Sequence, residues 1–254
     1  MAGLKLISLN IESDKHFDRL LPFFAQEKPD VVCLQEVLKA DLDTLSEIVF
    51  PGGEPEVIFV PQMDLKKENK YDIPARGQWG IAVFSWLKIQ AAHFGYYSYS
   101  QYASEGELPD LENDDPNSPH RGYVHVEVEK DDQTFSIANV HFTWSPNGQA
   151  TEEQREALGN LLALLQDYPQ LILCGDFNAP RGRATYNTLA QYYKDNIPAD
   201  VTTTLDHNLH YAGKLDLVVD GIFTTEHYQA INVRVVDGVS DHCAVVAEIT
   251  KQEV

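Results

Sequence analysis

The chain has 254 residues, of which 43% are hydrophobic and 10% aromatic, a composition typical of a globular fold. Nineteen Lys and Arg against 39 Asp and Glu give a net charge of −20, which argues against tight nonspecific binding of nucleic acid because such a field repels polyanions. No apolar run approaches the roughly 20 residues that span a bilayer, so we expect no membrane insertion. We expect one domain over residues 1–254.

Apolar runs predict a series of strands, at residues 4–11, 30–35, 80–85, 122–128, 134–141, 171–174, 217–223, 231–236 and 244–249. The helical spacing of Phe17, Leu20, Leu21 and Phe24 predicts a helix after the first strand, interrupted by Pro22. A second helix is predicted over Glu152–Leu165, where Thr151 and Gln154 have capping-box spacing before a leucine-rich face.

Two long stretches read as irregular, residues 61–76 and 96–120. The alternating Tyr and Ser residues at 96–102 favour a half-buried strand over a platform for stacking nucleobases. Many strands with few helices predict two sheets packed face to face with helices outside. Cys33, Cys174 and Cys243 lie in apolar runs as buried free thiols do, and this pattern predicts a reducing, cytoplasmic environment.

Polar side chains stand where predicted buried strands end, a position that brings groups together at one rim of a sandwich. They are Asn10, Glu12, Glu36, His141, Asp176, Asn178, Asp220, Asp241 and His242. Taken singly, Glu36 could be a surface carboxylate, and Asp176 and Asn178 could be ordinary turn residues. Ser240-Asp241-His242 cannot be a serine-hydrolase triad, because triad members converge from separate places.

Six segments carry a family resemblance in their order along the chain. They are Ser8-Leu9-Asn10-Ile11-Glu12, Leu34-Gln35-Glu36-Val37, Asn139-Val140-His141, Gly175-Asp176-Phe177-Asn178, Val219-Asp220-Gly221-Ile222-Phe223 and Ser240-Asp241-His242. From Leu4 to Glu248 the sequence resembles the endonuclease/exonuclease/phosphatase superfamily. The resemblance implies an α/β fold, a four-layered α/β sandwich with two mixed, mainly antiparallel sheets and helices outside. It also implies cleavage of a P–O bond.

The resemblance implies a metal site in which Glu36 is the principal ligand, with Asn10, Glu12 and Asp241 in or near its shell. Oxygen ligands of this kind suit Mg2+, with Mn2+ as a substitute. No thiolate and imidazole cluster has the spacing of a zinc site.

By the same resemblance, Asp176 is expected to act as base or to position the attacking water, and Asn178 to hold that water or a phosphoryl oxygen. His242, held by Asp220, and His141 are expected to act as donors to the substrate. Asp216 is an alternative partner for His242, because its segment Lys214-Leu215-Asp216-Leu217 also fits the family pattern.

Substrate contacts are expected from Arg76, Arg121 and Trp144, although exposed arginines pair more often with carboxylates than with ligands. The expected activity is Mg2+-dependent hydrolysis of a P–O bond by metal-assisted water attack, as by a phosphodiesterase or a nuclease. A phosphatase or phosphodiesterase of small or lipid phosphoesters is the alternative, and a catalytically silent binding module on the same fold is a third hypothesis. The expected partner is a phosphoester, nucleic acid or small molecule, with no obligate protein partner.

Overall fold

The computed structural model describes residues 3–104 and 106–252. Its strands are β1 (Leu4–Asn10), β2 (Val31–Leu38), β3 (Glu56–Leu65), β4 (Gly77–Ser85), β5 (Ile89–Ser98), β6 (Arg121–Lys130), β7 (Gln133–His141), β8 (Ile172–Asp176), β9 (Lys194–Asp195), β10 (Asp220–Thr224), β11 (Tyr228–Val236) and β12 (Ala244–Lys251). Its α-helices are α1 (Phe17–Glu27), α2 (Leu42–Val49), α3 (Glu152–Leu165) and α4 (Ala184–Tyr192). None of the helices in these ranges is long and apolar enough to cross a membrane.

The strands form two six-stranded sheets. The first has the order β11-β12-β1-β2-β4-β3 and the second β5-β6-β7-β8-β10-β9. Neighbouring strands are antiparallel except for the pairs β1 with β2 and β7 with β8, which are parallel. This confirms the prediction of two mixed, mainly antiparallel sheets.

Apolar side chains of both sheets share one core between them, as Leu6 and Val31 of the first sheet do with Ile137 and Ile172 of the second. The outer face of the first sheet packs against α1 and α2, and that of the second against α3 and α4. The layers are therefore helix, sheet, sheet, helix, as predicted.

Five elements lie wholly or mostly outside the predicted ranges: the strands β3, β5 and β9 and the helices α2 and α4. Strand β3 runs through Pro61, where the sequence suggested irregular chain, because β3 is an edge strand and its register shifts between Pro61 and Met63. Strand β5 takes in Tyr96 to Ser98, which confirms the strand interpretation for the first part of the tyrosine tract only. The α2 and α4 segments are short, and short helices give weak periodic signals.

The predicted caps and breaks of the helices were partly right. Thr151 caps α3 by accepting a hydrogen bond from the Gln154 N–H at 3.0 Å. The Gln154 side chain does not complete a capping box, because it donates to the Thr143 carbonyl and accepts from Thr185. Helix α1 continues through Pro22.

The register of the parallel pairs brings the ends of several strands to one edge of the sandwich. Asn10 at the end of β1 pairs with Gln35 of β2, and His141 at the end of β7 pairs with Asp176 at the end of β8. Asp220 at the start of the antiparallel β10 faces Asp176 directly. This edge carries the candidate site.

Candidate active site

Glu36 is turned towards the site by a bulge in β2. Between Leu34 and Val37, β2 takes three residue steps where β4 takes two. The backbone of Glu36 has a φ of 61°, in the left-handed region that non-glycine residues rarely adopt. Bulges of this kind re-aim a side chain out of the regular alternation. The Oε1 of Glu36 accepts a hydrogen bond from Asn10 Nδ2 at 3.0 Å.

Asn139 of β7 fixes that bulge from the opposite sheet. Its Nδ2 donates to the main-chain carbonyls of Leu34 at 2.9 Å and Ala82 at 3.0 Å, and its Oδ1 accepts from Gln35 Nε2 at 2.7 Å. Both amide side chains are fully buried. Because the bulge interrupts the regular ladder next to these groups, Asn139 supplies partners for buried polar groups beneath Glu36.

Asp176 follows Gly175, at a point where β8 lies so close to β7 that only glycine fits. Gly175 has a φ of 145°, and a Cβ on it would lie 2.0 Å from the Val140 carbonyl oxygen, so no larger residue fits. The Asp176 Oδ1 accepts from the Asn178 N–H at 2.8 Å, and its Oδ2 accepts from Asn10 Nδ2 at 3.2 Å. Burial raises the pKa of Asp176 to about 6.

His242 is held by Asp220. The ring Nδ1 lies 2.9 Å from Asp220 Oδ2, and the opposite Nε2 lies 3.8 Å from Asp176 Oδ2. Burial alone would lower the pKa of His242, but the charges of Asp220 and Asp176 raise it well above its usual range, which favours the imidazolium form. Asp216 lies elsewhere, exposed and 3.7 Å from His207.

His141 is the second histidine of the site, and its surroundings favour a neutral ring, in contrast to His242. Its Nε2 lies 3.6 Å from Asp176 Oδ2 and 3.9 Å from Glu36 Oε1. Burial, with the nearby charge of Arg121, lowers the pKa of His141 well below its ordinary value. A neutral imidazole therefore faces the two carboxylates.

The carboxylates at this edge fit a divalent cation. Burial and the charge of Asp241 raise the pKa of Glu36 to about 7, and burial raises the pKa of Asp241. Raised carboxyl pKa values mark negative charge that the protein's own groups leave uncompensated. A hard, oxygen-seeking dication supplies that compensation. Asn10 turns its N–H group, not its oxygen, to Glu36, and its Oδ1 accepts from the Glu12 N–H at 3.2 Å.

Two groups of three side chains among the described residues have ligand atoms within 4.8 Å of one another, and a cation fits one of them better. They are Glu12, His16 and Asp241, and Asp176, Asp220 and His242. In the second group the Nδ1 of His242 is bonded to Asp220, which occupies one of the possible ligand atoms. The first shares Asp241 with the environment of Glu36, so this side of the site is the better position for a cation.

Arg76 does not face the site with a free guanidinium. Its Nη1 and Nη2 donate to the two carboxylate oxygens of Asp41 at 3.0 and 2.9 Å, and Nη2 also donates to Asp14 at 2.6 Å. These contacts are those of a structural ion pair that joins three segments of the chain. The prediction that Arg76 binds substrate finds no support in them.

Arg121 is buried, and its Nη2 donates to the Pro116 carbonyl at 2.6 Å. Nε and Nη1 have no hydrogen-bond partner among the described residues, which is unusual for a buried guanidinium. The charges of Asp176 and Glu36 act on the guanidinium, so Arg121 lies close to these two carboxylates. Trp144 is 37% exposed, and its main chain is hydrogen-bonded to the side chain of Asn117.

Asn178 and two further histidines, His16 and His210, also lie at or next to this edge. The Asn178 side chain donates to the Phe142 carbonyl at 3.0 Å, so it ties the end of β8 to β7. His16, 2.9 Å from Glu12, and His210, with its ring centroid 6.3 Å from that of His242, were not predicted. The spacing of Glu12 and His16 by four residues could have indicated that these two side chains meet. His210 lies in a segment without regular structure, so its sequence position gave no such indication.

Comparison with known proteins places this site in a family. Residues 7–242 match the model of the Endonuclease/Exonuclease/phosphatase family, and the chain belongs to that family. It is therefore of the class of hydrolases that act on phosphoester bonds. No curated protein sequence matches the chain significantly.

Solved structures share the fold at low sequence identity. An endonuclease/exonuclease/phosphatase from Bacteroides vulgatus is 17% identical, with a TM-score of 0.71 over 99% of this chain and 100% of that one. A mannosyl-6-phosphatase from Bacteroides thetaiotaomicron is 16% identical, with a TM-score of 0.70 over 97% and 99%. The human Nocturnin catalytic domain with bound sulfate is 17% identical, with a TM-score of 0.68 over 99% and 94%.

Proposed function

We propose that the chain hydrolyses a P–O bond by attack of water on phosphorus. The observation that carries this is the environment of Asp176, a buried carboxylate with the imidazolium of His242 at 3.8 Å and the neutral imidazole of His141 at 3.6 Å. An in-line displacement at phosphorus requires a base, a positively charged group and a neutral hydrogen-bond donor close together. Asp176, His242 and His141 would supply these three groups.

In this proposal Asp176 takes the proton of the attacking water while the water oxygen forms the new bond to phosphorus. The bond from phosphorus to the leaving oxygen breaks, and the electron pair remains on that oxygen. The His242 imidazolium offers positive charge to the phosphoryl oxygens, and Asp220 keeps its ring oriented. His141 donates from Nε2 to a phosphoryl or leaving oxygen.

Glu36 and Asp241, with Glu12 beside them, would hold a divalent cation, Mg2+ or in its place Mn2+. When bound, such a cation neutralises charge on the phosphoryl oxygens. Asn10 contributes by bridging Glu36 and Asp176 with its amide N–H group, which keeps the two carboxylates apart in fixed positions.

The pairing of Lys66 and Lys67 with carboxylates favours a small phosphoester over a long nucleic acid. Lys66 lies 3.3 Å from Asp64, and Lys67 lies 3.0 Å from Glu112. These pairs neutralise the segment that could have formed a basic track for a polyanion. The net charge of −20 acts in the same direction.

Turnover assays with and without Mg2+ or Mn2+ test the proposal. The substrates are p-nitrophenyl phosphate, its bis ester, nucleotides, phosphorylated sugars, phosphoinositides, RNA, and single-stranded and duplex DNA. We expect cleavage of small phosphoesters that a chelator abolishes, with lower kcat/KM on the polymers. The absence of metal-dependent turnover on every substrate would favour the silent binding module, and faster cleavage of nucleic acid would restore the nuclease hypothesis.

A further inference from the structure

The segment of residues 203–219 is hydrogen-bonded at several points to the edge of the sandwich that carries the candidate site. The Asp206 N–H donates to the Asp241 carbonyl at 2.8 Å, and Leu205 forms an isolated bridge with His242. The Asp206 carboxylate accepts from the main-chain N–H groups of Asn208 at 2.8 Å and Gly238 at 2.7 Å. The segment is therefore held in a fixed position beside the catalytic histidine.

His210 projects from this segment towards the site. Its main-chain N–H donates to the Asp206 carbonyl at 3.0 Å, which fixes its backbone. Its ring lies 6.3 Å from that of His242 between centroids, at an interplanar angle of 66°. The half-buried ring also packs against Tyr211 at 4.6 Å, although Tyr211 itself is 86% exposed. His210 thus stands at the mouth of the site, with one face supported.

The tautomer of His210 follows from one main-chain contact. The Ala212 N–H donates to Nδ1 of His210 at 3.2 Å, so Nδ1 presents a lone pair. A neutral imidazole with its lone pair on Nδ1 carries its proton on Nε2. Among the hydrogen bonds of the described part of the chain, this Nε2 takes part in none. It is therefore a free donor, and it cannot ligate a metal in this tautomer.

We propose that His210 is a further catalytic residue, whose Nε2–H donates to an oxygen of the phosphoester bound against His242. The proposal rests on the proposed function, because it needs a phosphoester in the site. It adds a third histidine to the two predicted from the sequence. The ring of His210 is neutral and is fixed by its own loop, whereas the imidazolium of His242 is fixed by Asp220.

The test compares His210→Ala and His210→Gln with a matched control, His207→Ala in the same segment. His207 faces the exposed Asp216, 3.7 Å away, instead of His242. We expect His210→Ala to lower kcat/KM on bis(p-nitrophenyl) phosphate about 100-fold, the usual effect of losing one transition-state donor. His210→Gln can donate from a similar position and should recover most of that loss. His207→Ala should stay within about twofold of the unchanged chain.

Binding of inorganic phosphate in the presence of Mg2+, followed by calorimetry, separates this proposal from the proposed function because it needs no turnover. We expect His210→Ala to weaken phosphate binding about tenfold and His207→Ala to leave it unchanged. Phosphate binding and kcat/KM that are equal in the unchanged chain and His210→Ala would overturn the proposal. Equal losses in the Ala and Gln variants with a lowered melting temperature would also overturn it, because they indicate a structural role.

Discussion

Gln35 Nε2 donates to Asn139 Oδ1 over 2.7 Å, a hydrogen bond that joins the two sheets in the buried core next to Glu36. Gln35 lies one residue before Glu36, and Asn139 two residues before His141. The same bond therefore sets the distance between the groups that the first sheet contributes to the site and those that the second contributes.

Asn139→Ala tests this relationship. The change removes the hydrogen bonds of Asn139 to the carbonyls of Leu34 and Ala82 and to the Gln35 amide, and the loss of a partner by a buried polar group costs about 1–3 kcal/mol. We expect the free energy of unfolding in urea to fall by about 2–4 kcal/mol. Asn160→Ala, which removes one hydrogen bond at the surface, should cost less than about 1 kcal/mol. Equal losses in the two variants would contradict a bridging role.

Glu36→Gln should stabilise the metal-free protein while it removes activity. The pKa of Glu36 is raised from 4.5 to about 7, so the folded state binds this proton more tightly than the unfolded state. Its contribution to stability therefore declines as the pH rises from about 4.5 to about 7 and is least favourable above that. We expect about 1–3 kcal/mol of stabilisation at pH 8 and little at pH 4.

The measurement for Glu36→Gln is the melting temperature across this pH range, with chelator and with Mg2+. Mg2+ should raise the melting temperature of the unchanged chain and leave that of the variant almost unaltered. A variant that is less stable than the unchanged chain at pH 8 without metal would show that Glu36 carries no uncompensated charge.

Asp220→Asn and Asp216→Asn separate the two candidate partners of His242. Loss of the Asp220 carboxylate removes the charge that keeps His242 protonated and oriented, so kcat/KM should fall by about 10³ to 10⁴. Asp216→Asn should leave kcat/KM within about twofold, because this carboxylate is exposed and lies against His207. The reverse pattern would transfer the role to Asp216.

Arg76→Ala should lower stability without changing substrate affinity. The variant loses a bidentate pair with Asp41 and a contact with Asp14, which we expect to lower the free energy of unfolding by about 1 kcal/mol. KM for the best substrate should stay the same. A tenfold rise in KM at unchanged stability would restore the sequence-based prediction that Arg76 binds substrate.

The sequence was sufficient for the sandwich, and it named most of the polar side chains that the structure brings to one edge, because both depend on local patterns. Buried strands are apolar runs, and the side chains at their ends can be read one by one. The orientation of Glu36 could not be read, because it depends on a register shift between β2 and β4 that only the assembled sheet defines. The Asn10 orientation and the Asn139 bridge are likewise relations between distant strands.

The missed elements have similar causes. Strand β3 contains Pro61, which argues against a strand unless the strand is known to lie at an edge. His210 stands in irregular chain, and only the fastening of that chain to Asp241 and His242 brings it to the site. Arg76 has the residue type of a phosphate ligand, but its partners Asp14 and Asp41 are far from it in sequence.

The central claim, water attack on phosphorus supported by Asp176 and His242, is tested most directly by kcat/KM of Asp176→Asn and His242→Gln. The assay uses the best small phosphoester in saturating Mg2+, with melting temperatures as the check on folding. We predict that each variant stays folded and loses about 10³-fold or more in kcat/KM. Metal-dependent turnover within about tenfold of the unchanged chain in both variants would contradict the account.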